Sequence, residues 1–154
     1  MRTLILAAAM LVLAACATPS GVEGEAGGPA ATLNAYQRAI VARDLAGTET
    51  LFTTDATIVE QGHNEGDYAT YREHHLGPEL AEVRDFRFDG YAVDIEVAGN
   101  QARALETYTY HIVLSDGRAV DRQGAATSVL IRGADGRWRI AQYHSSSRAI
   151  TPPT

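Results

Sequence analysis

Apolar residues recur at helical spacing where the chain becomes regular, after residue 30. Leu33, Tyr36 and Ile40 lie three and four positions apart, which is typical of an amphipathic helix with one face against a core. Asp44 marks the start of a second short helix. Asp67 is the N-cap of a third, which we expect Gly77-Pro78 to interrupt because proline lacks the N–H that a helix needs. The pattern therefore predicts three helices before the long strands.

Alternation of apolar and polar residues, typical of β-strands, dominates the rest of the chain. A short β-rich stretch, residues 55–61, precedes the third helix, and four longer alternating runs follow it: residues 84–98, 101–114, 119–132 and 138–147. Two of the turns between these runs contain Asp-Gly, a strong hairpin signal. Helices followed by an antiparallel sheet predict an α+β fold with the helices packed on one face of the sheet.

The first sixteen residues, MRTLILAAAMLVLAAC, differ from everything after them. Arg2 precedes an apolar run that is shorter than the roughly 20 residues a membrane-spanning helix needs. The ending Leu-Ala-Ala-Cys resembles the signal of bacterial lipoproteins, whose cysteine becomes the lipidated N-terminus. The resemblance implies a signal peptide over residues 1–15 and lipidation at Cys16. Ala17, in place of an aspartate, favours the outer membrane, with the protein held on its periplasmic face.

Composition divides the remainder into a tether, one domain and a tail. Residues 16–30 are rich in Gly, Pro and small polar types and predict a flexible tether. Residues 31–150 have the length of a single domain, and residues 151–154 form a tail. The only cysteine is Cys16, which excludes an internal disulfide and a thiolate metal cluster. All 13 basic side chains are arginines and the net charge is −6, which argues against a nucleic-acid partner.

The order of these elements, with DATIVEQG after the first helices and GRWRIAQYHSSSR at the end, resembles the nuclear transport factor 2-like superfamily. That group includes SnoaL-like polyketide cyclases and ketosteroid isomerase. The resemblance implies a cone, in which a curved antiparallel sheet wraps around three N-terminal helices and leaves a pocket at the wide end. Many relatives form homodimers through the outer sheet face. The fold hosts enzymes, binding modules and assembly domains alike, so function has to be argued from the side chains.

Helical geometry and strand parity select the side chains that would line such a pocket. At about 100° per residue, His75 shares a helical stripe with Tyr68 and Tyr71, whereas His74 lies at its margin. In the last run, His144 and Arg148 share a face with the apolar Trp138, and in residues 101–114 the more apolar face carries Glu106. The predicted ligand pocket therefore comprises Tyr68, Tyr71, His75, Glu106, Trp138, His144 and Arg148.

The same resemblance suggests catalytic candidates. Relatives of the ketosteroid isomerase type carry a carboxylate base three residues after an Asp-Ala-Thr turn, a position that Glu60 holds here. Their oxyanion tyrosine lies eight residues before the Asp that opens the second helix, where this chain has Tyr36. A carboxylate base and a phenol donor suit proton abstraction next to a carbonyl group. The neutral acid that completes the family's site is replaced by Thr127, a weaker donor.

A metal site is another interpretation of the same residues. His75 and His144, together with Glu60 and Glu106, are of the types that bind zinc or copper, although no His-x-His or His-x-x-x-His spacing occurs. Four hypotheses follow. The first, favoured because no complete catalytic set is present, is a small-molecule-binding module that requires no cofactor. The second is an isomerase- or cyclase-like enzyme using Glu60 and Tyr36, and the third is a divalent-metal domain using His75 and His144. The fourth is a purely structural role through dimerisation of the outer sheet face.

Overall fold

The computed structural model describes residues 27–150. The predicted signal peptide, Cys16, residues 16–26 of the tether and the tail all lie outside this range, so what was inferred for them stays a prediction. Within the described range no helix is long and apolar enough to cross a membrane.

Two helical segments and one six-stranded sheet make up the domain. In chain order the elements are α1 (Pro29–Ala42), a 3₁₀ turn (Thr48–Leu51), β1 (Phe52–Glu60), β2 (His63–Gly66), α2 (Tyr68–Tyr71), a π-helical turn (Arg72–Leu76), α3 (Gly77–Ala81), β3 (Val83–Ala98), β4 (Gln101–Leu114), β5 (Ala119–Arg132) and β6 (Trp138–Ala149). The α2 helix, the π-turn and α3 follow one another without a break and form one continuous segment, residues 68–81. The predicted α+β class is confirmed.

The sheet has the strand order β2-β1-β6-β5-β4-β3. The strands from β3 to β6 pair as successive antiparallel neighbours, as their hairpin turns predict. β1 runs parallel to β6, with Glu60 opposite Ser145, so the expectation of a wholly antiparallel sheet is wrong. Because β6 lies in the middle, residues from the first and the last strand meet near the centre of the sheet.

The expected three N-terminal helices are reduced to two helical segments. Only α1 precedes the whole sheet, and the second segment lies between β2 and β3. The short helix predicted from Asp44 is a tight turn, in which the Asp44 carboxylate accepts a hydrogen bond from the Ala46 amide at 3.0 Å. A single 3₁₀ turn follows it, so the local hydrogen bonds of an Asx-type turn replace a helix.

Gly77-Pro78 does not end the second helical segment as expected. The Gly77 amide donates to the Arg72 carbonyl, five residues earlier, which widens the helix to one π-turn. In a regular α-helix the Pro78 ring would clash with the carbonyl four residues before it. We infer that the wider turn accommodates the proline, which then occupies the first turn of α3, where its missing N–H does no harm.

The core lies between the inner face of the sheet and the two helical segments. Its most deeply buried side chains come from α1, β1, β5 and β6: Leu33, Ile58, Leu130 and Ile140. The inner face of β3 is less covered, since Phe86, Phe88, Val93 and Ile95 are only partly buried. The side of the sheet away from β1 and β2 is therefore where the domain leaves open space.

Candidate functional site

A cavity of about 380 Å³ opens between the inner face of the sheet and the helices. Seven of its lining residues are aromatic, and five of the seven tyrosines of the chain are among them. The aromatic wall consists of Tyr36, Tyr71, Phe86, Phe88, Tyr108, Tyr110 and Tyr143. The polar part of the wall includes the carboxylates of Glu60, Glu79 and Glu82 and three serines at the end of β6. This is the size and character of a small-molecule site.

Glu60 faces this cavity, as its strand position predicts. Ala56 and Ile58 are buried on the same face of β1, and Glu60 is the next residue in that series. The Tyr71 hydroxyl donates a hydrogen bond to Glu60 Oε2. Burial, with the nearby Tyr36 and Glu60, raises the pKa of Tyr71, so its hydroxyl remains a neutral donor. The carboxylate is therefore held in place by a phenol from the facing helix.

His75 lies at the rim of the cavity among three carboxylates. Its Nδ1 is 3.2 Å from Glu65 Oε2, and its Nε2 is 3.3 Å from Glu79 Oε1 and 3.7 Å from Glu60 Oε2. Burial raises the pKa of Glu79; the charges of Glu60 and Glu65 act in the same direction, and His75 opposes them. His74 is exposed, so the helical argument that selected His75 over His74 is confirmed.

Tyr36 is 3% exposed and reaches the cavity from α1. Its ring makes edge contacts with Phe52, Tyr68 and Tyr143, at centroid distances of 5.0, 5.9 and 5.5 Å. Burial raises its pKa well above the usual value, so the hydroxyl is a neutral donor. Within residues 27–150 this hydroxyl forms no hydrogen bond, which leaves it available to a group inside the cavity.

Glu106 faces inward, as predicted, but it lies beneath the aromatic wall and does not line the cavity. It is 5% exposed, and Tyr91 donates to its Oε2 at 2.7 Å. Neither Glu106 Oε1 nor the buried Ser128 Oγ has a hydrogen-bond partner of good geometry. Burial raises the pKa of Glu106, and the neighbouring Tyr91 and Ser128 hydroxyls only partly oppose this.

The inward placement of His144 is wrong. β6 contains a β-bulge at Ala141: Leu130 and Val129 are adjacent in β5, but their partners in β6, Ile140 and Gln142, are separated by this extra residue. Because side chains alternate along a strand, the extra residue reverses which of them face inward. Tyr143 and Ser145 consequently line the cavity, whereas His144 is exposed on the outer face.

Arg148 is also displaced from the predicted pocket. It is exposed, and its guanidinium donates to Gln123 Oε1 at 2.5 Å. Thr127, where the third oxyanion residue was expected, is exposed and lies opposite His144 in the neighbouring strand. Both positions belong to the outer surface of the sheet.

Tyr68 and Trp138 belong to the core and not to the cavity wall, which corrects their predicted role. The Tyr68 ring stacks on Phe52 with a centroid distance of 3.7 Å, and its hydroxyl donates to Thr48 Oγ1 at 2.7 Å. Trp138 is 8% exposed, and its backbone carbonyl accepts a hydrogen bond from Thr32 at 3.0 Å. Both side chains therefore pack in the core outside the cavity lining.

The structure does not bring the two predicted metal ligands together. His75 is at the cavity rim, and His144 is on the opposite face of the sheet. Among residues 27–150, no three or more His, Cys, Asp or Glu side chains are arranged to hold a metal ion. Glu65 is a hydrogen-bond partner of the imidazole through Nδ1, and the Glu79 and Glu60 carboxylates lie 3.3 and 3.7 Å from Nε2.

Several wall residues were not singled out from the sequence. Tyr108 and Tyr110 share the inward face of β4 with Glu106, so strand parity alone could have found them. Tyr143 and Ser145 depend on the bulge at Ala141, which has no glycine or other local signal. Glu65 and Glu79 come together only through the fold.

Comparison with known proteins assigns the family. A family model described as SnoaL-like domain matches residues 30–151. The chain therefore belongs to the SnoaL-like family, within the nuclear transport factor 2-like fold. No curated protein matches the chain.

Solved structures share this fold. A nuclear transport factor 2-like superfamily protein from Salmonella enterica has 23% identity and a TM-score of 0.67, over 79% of this chain and 89% of that one. A protein from Shewanella frigidimarina proposed to be a ketosteroid isomerase has 24% identity and a TM-score of 0.70, over 82% and 98%. A proposed scytalone dehydratase from Novosphingobium aromaticivorans has 12% identity and a TM-score of 0.65, over 81% and 85%. At these identities the likeness concerns the fold alone.

Proposed function

We propose that this SnoaL-like domain binds a small molecule in the cavity beneath α1. The observation that carries the proposal is the aromatic cavity itself, whose wall includes Tyr36, a residue with a neutral hydroxyl that has no hydrogen-bond partner among the described residues. A molecule in the cavity could accept a hydrogen bond from this hydroxyl while its apolar part packs against the aromatic side chains of the wall. Anchoring of the domain to the outer membrane through Cys16 stays a prediction from the sequence.

Filling the cavity should abolish binding. Ser145 is 9% exposed and its side chain lines the cavity, so Ser145→Phe places a ring in the space that the ligand needs. We expect the affinity for naphthyl probes carrying an ammonium, a hydroxymethyl or a carboxylate group to fall by about tenfold or more, as measured by isothermal titration calorimetry. Thr127→Phe adds a ring on the exposed face of β5 and should leave the affinity unchanged. Equal affinities of wild type and a folded Ser145→Phe variant would contradict the proposal.

A second candidate is proton transfer, with Glu60 as the base and Tyr36 as the donor to a developing oxyanion. It is favoured by the placement of both side chains in the wall of one cavity. Isomerisation of a β,γ-unsaturated ketone to its conjugated form, followed by ultraviolet absorbance, tests it. If the candidate is correct, Glu60→Gln lowers kcat by about 100-fold or more, because the amide cannot accept the proton. Turnover by the variant at the wild-type rate would exclude Glu60 as the base.

A further inference from the structure

We propose that the molecule bound in this cavity is an organic cation, an amine or quaternary ammonium group on an apolar body. Its charge would lie beside Glu60 and its body against the aromatic wall. The inference rests on the proposed binding function and adds the chemical class of the ligand.

The charges in the cavity wall have one sign. The charged residues of the wall are Glu60, Glu79 and Glu82, of which Glu82 also accepts a hydrogen bond from Ser115, and no arginine is part of the wall. The chain contains no lysine that could balance them from elsewhere. Even with a protonated His75 at the rim, the carboxylates outnumber the positive charge. An anion entering this cavity would meet repulsion, whereas a cation would be attracted.

The arginines that contact wall residues are already hydrogen-bonded. Arg43 donates to the Val83 carbonyl at 2.8 Å. Arg122 donates through Nε to Ser147 Oγ and through a terminal nitrogen to the Ser147 carbonyl, both at 2.8 Å. Arg148, which strand parity had placed at the mouth, is exposed and bound to Gln123. Arg148 therefore lies outside the wall, and the guanidinium groups of Arg43 and Arg122 are occupied by hydrogen bonds to wall residues.

The aromatic part of the wall suits an organic cation better than a metal ion. Ring faces attract ammonium groups, and seven aromatic side chains surround this space. Glu60 Oε2 is already bound by the Tyr71 hydroxyl, which fixes the carboxylate next to that aromatic surface. A metal ion needs several converging oxygen or nitrogen ligands, and residues 27–150 contain no such set. The unpaired Tyr36 hydroxyl then remains for a polar atom on the apolar body.

Three probes with the same naphthyl body test the charge preference: (2-naphthylmethyl)trimethylammonium, 2-naphthylmethanol and 2-naphthoate. Titration calorimetry with the purified protein should give the ammonium probe an affinity about tenfold higher than that of the alcohol, with the carboxylate weakest. Glu60→Gln should remove most of the ammonium advantage and change the affinity for the alcohol by less than about twofold. Glu73→Gln is the matched control. Glu73 is exposed on the helical segment of residues 68–81, and its substitution removes the same charge as Glu60→Gln.

The outcomes separate this inference from the function on which it rests. Binding of the alcohol or the carboxylate as tightly as the ammonium probe overturns the cationic ligand and leaves small-molecule binding intact. An equal loss of affinity for the ammonium probe in Glu60→Gln and Glu73→Gln also overturns it, since the preference for the cation would then come from the overall charge of the protein. If wild type binds none of the three probes, the proposed binding function itself fails.

Discussion

Glu106→Gln is expected to raise the free energy of unfolding by about 1–3 kcal/mol at neutral pH, although it alters a buried polar residue. In the wild type, Glu106 Oε1 and Ser128 Oγ are both buried without a good hydrogen bond. A glutamine amide can donate to the Ser128 hydroxyl while its oxygen continues to accept from Tyr91. The substitution thus replaces a carboxyl group whose charged form is disfavoured by burial and satisfies two polar atoms at once.

The gain should depend on pH in a defined direction. Burial raises the pKa of Glu106 in the folded protein above the value of about 4.3 expected in the unfolded chain. The stability contributed by its protonated form is fully present below the unfolded pKa and is lost as pH rises through the folded pKa. Glutamine does not titrate. The difference in stability between variant and wild type should therefore be smallest near pH 4, grow with pH and then level off.

Urea unfolding followed by circular dichroism, at intervals between about pH 4 and pH 9, measures this difference. Glu96→Gln is the control, because Glu96 is an exposed strand residue paired with Arg103 and should change stability by less than about 0.5 kcal/mol. A difference that does not vary with pH would show that burial does not raise the pKa of Glu106. A Glu106→Gln variant less stable than wild type throughout would mean that the charged bond from Tyr91 outweighs the cost of burial.

The sequence predicts correctly which side chains face inward wherever the helical or strand periodicity continues without interruption. Tyr36 and Glu106 are in regular elements, and the structure turns both inward, as spacing of 3.6 or 2 residues requires. Glu60, which the family resemblance selected, also lines the cavity. The separation of His75 from His74 follows from the same helical argument. Fold class also came from the order of the elements and from the resemblance that their motifs carry.

Where the prediction failed, one residue had shifted the register. Because of the bulge at Ala141, His144 and Arg148 lie on the outer face and neither takes its predicted place in the pocket. His144 is consequently not close to His75, its predicted partner in a metal site. Nothing in the sequence around Ala141 reveals the bulge, because it depends on how β6 fits between β1 and β5. Residues beyond such an irregularity cannot be assigned to a face by alternation alone.

The predicted interruption of the helix at Gly77-Pro78 was wrong for a different reason. Proline predicted a break, but the chain widens by one π-turn and continues, so His75 and Glu79 remain on one helical segment near Glu60. The rim of the site therefore depends on a helix that accommodates its proline. π-Turns of this kind are rare and are often found at functional sites.

Gly77→Ala should destabilise the protein by about 1–3 kcal/mol. In an ordinary helix interior the same change stabilises by about 0.5–1 kcal/mol, because alanine has the higher helix propensity. Here a Cβ at position 77 would lie 2.6 Å from the Arg72 carbonyl oxygen, a backbone atom that can move only if the π-turn is rebuilt. Thermal and urea unfolding measure the loss, and a gain of the ordinary size would show that the turn is not required.

Removing the proline should relieve the requirement for glycine at position 77. With Pro78→Ala, residue 78 regains its N–H and the ring no longer opposes a regular α-helix, in which alanine at position 77 is favoured. We therefore expect Gly77→Ala to cost less in the Pro78→Ala background, with a coupling energy of about 1 kcal/mol or more in a double-mutant cycle. If the effects of Gly77→Ala and Pro78→Ala on stability are additive, the requirement for glycine at position 77 does not depend on the proline. Coupling would establish that Pro78 is the reason for the wide turn that carries His75 to the rim of the cavity.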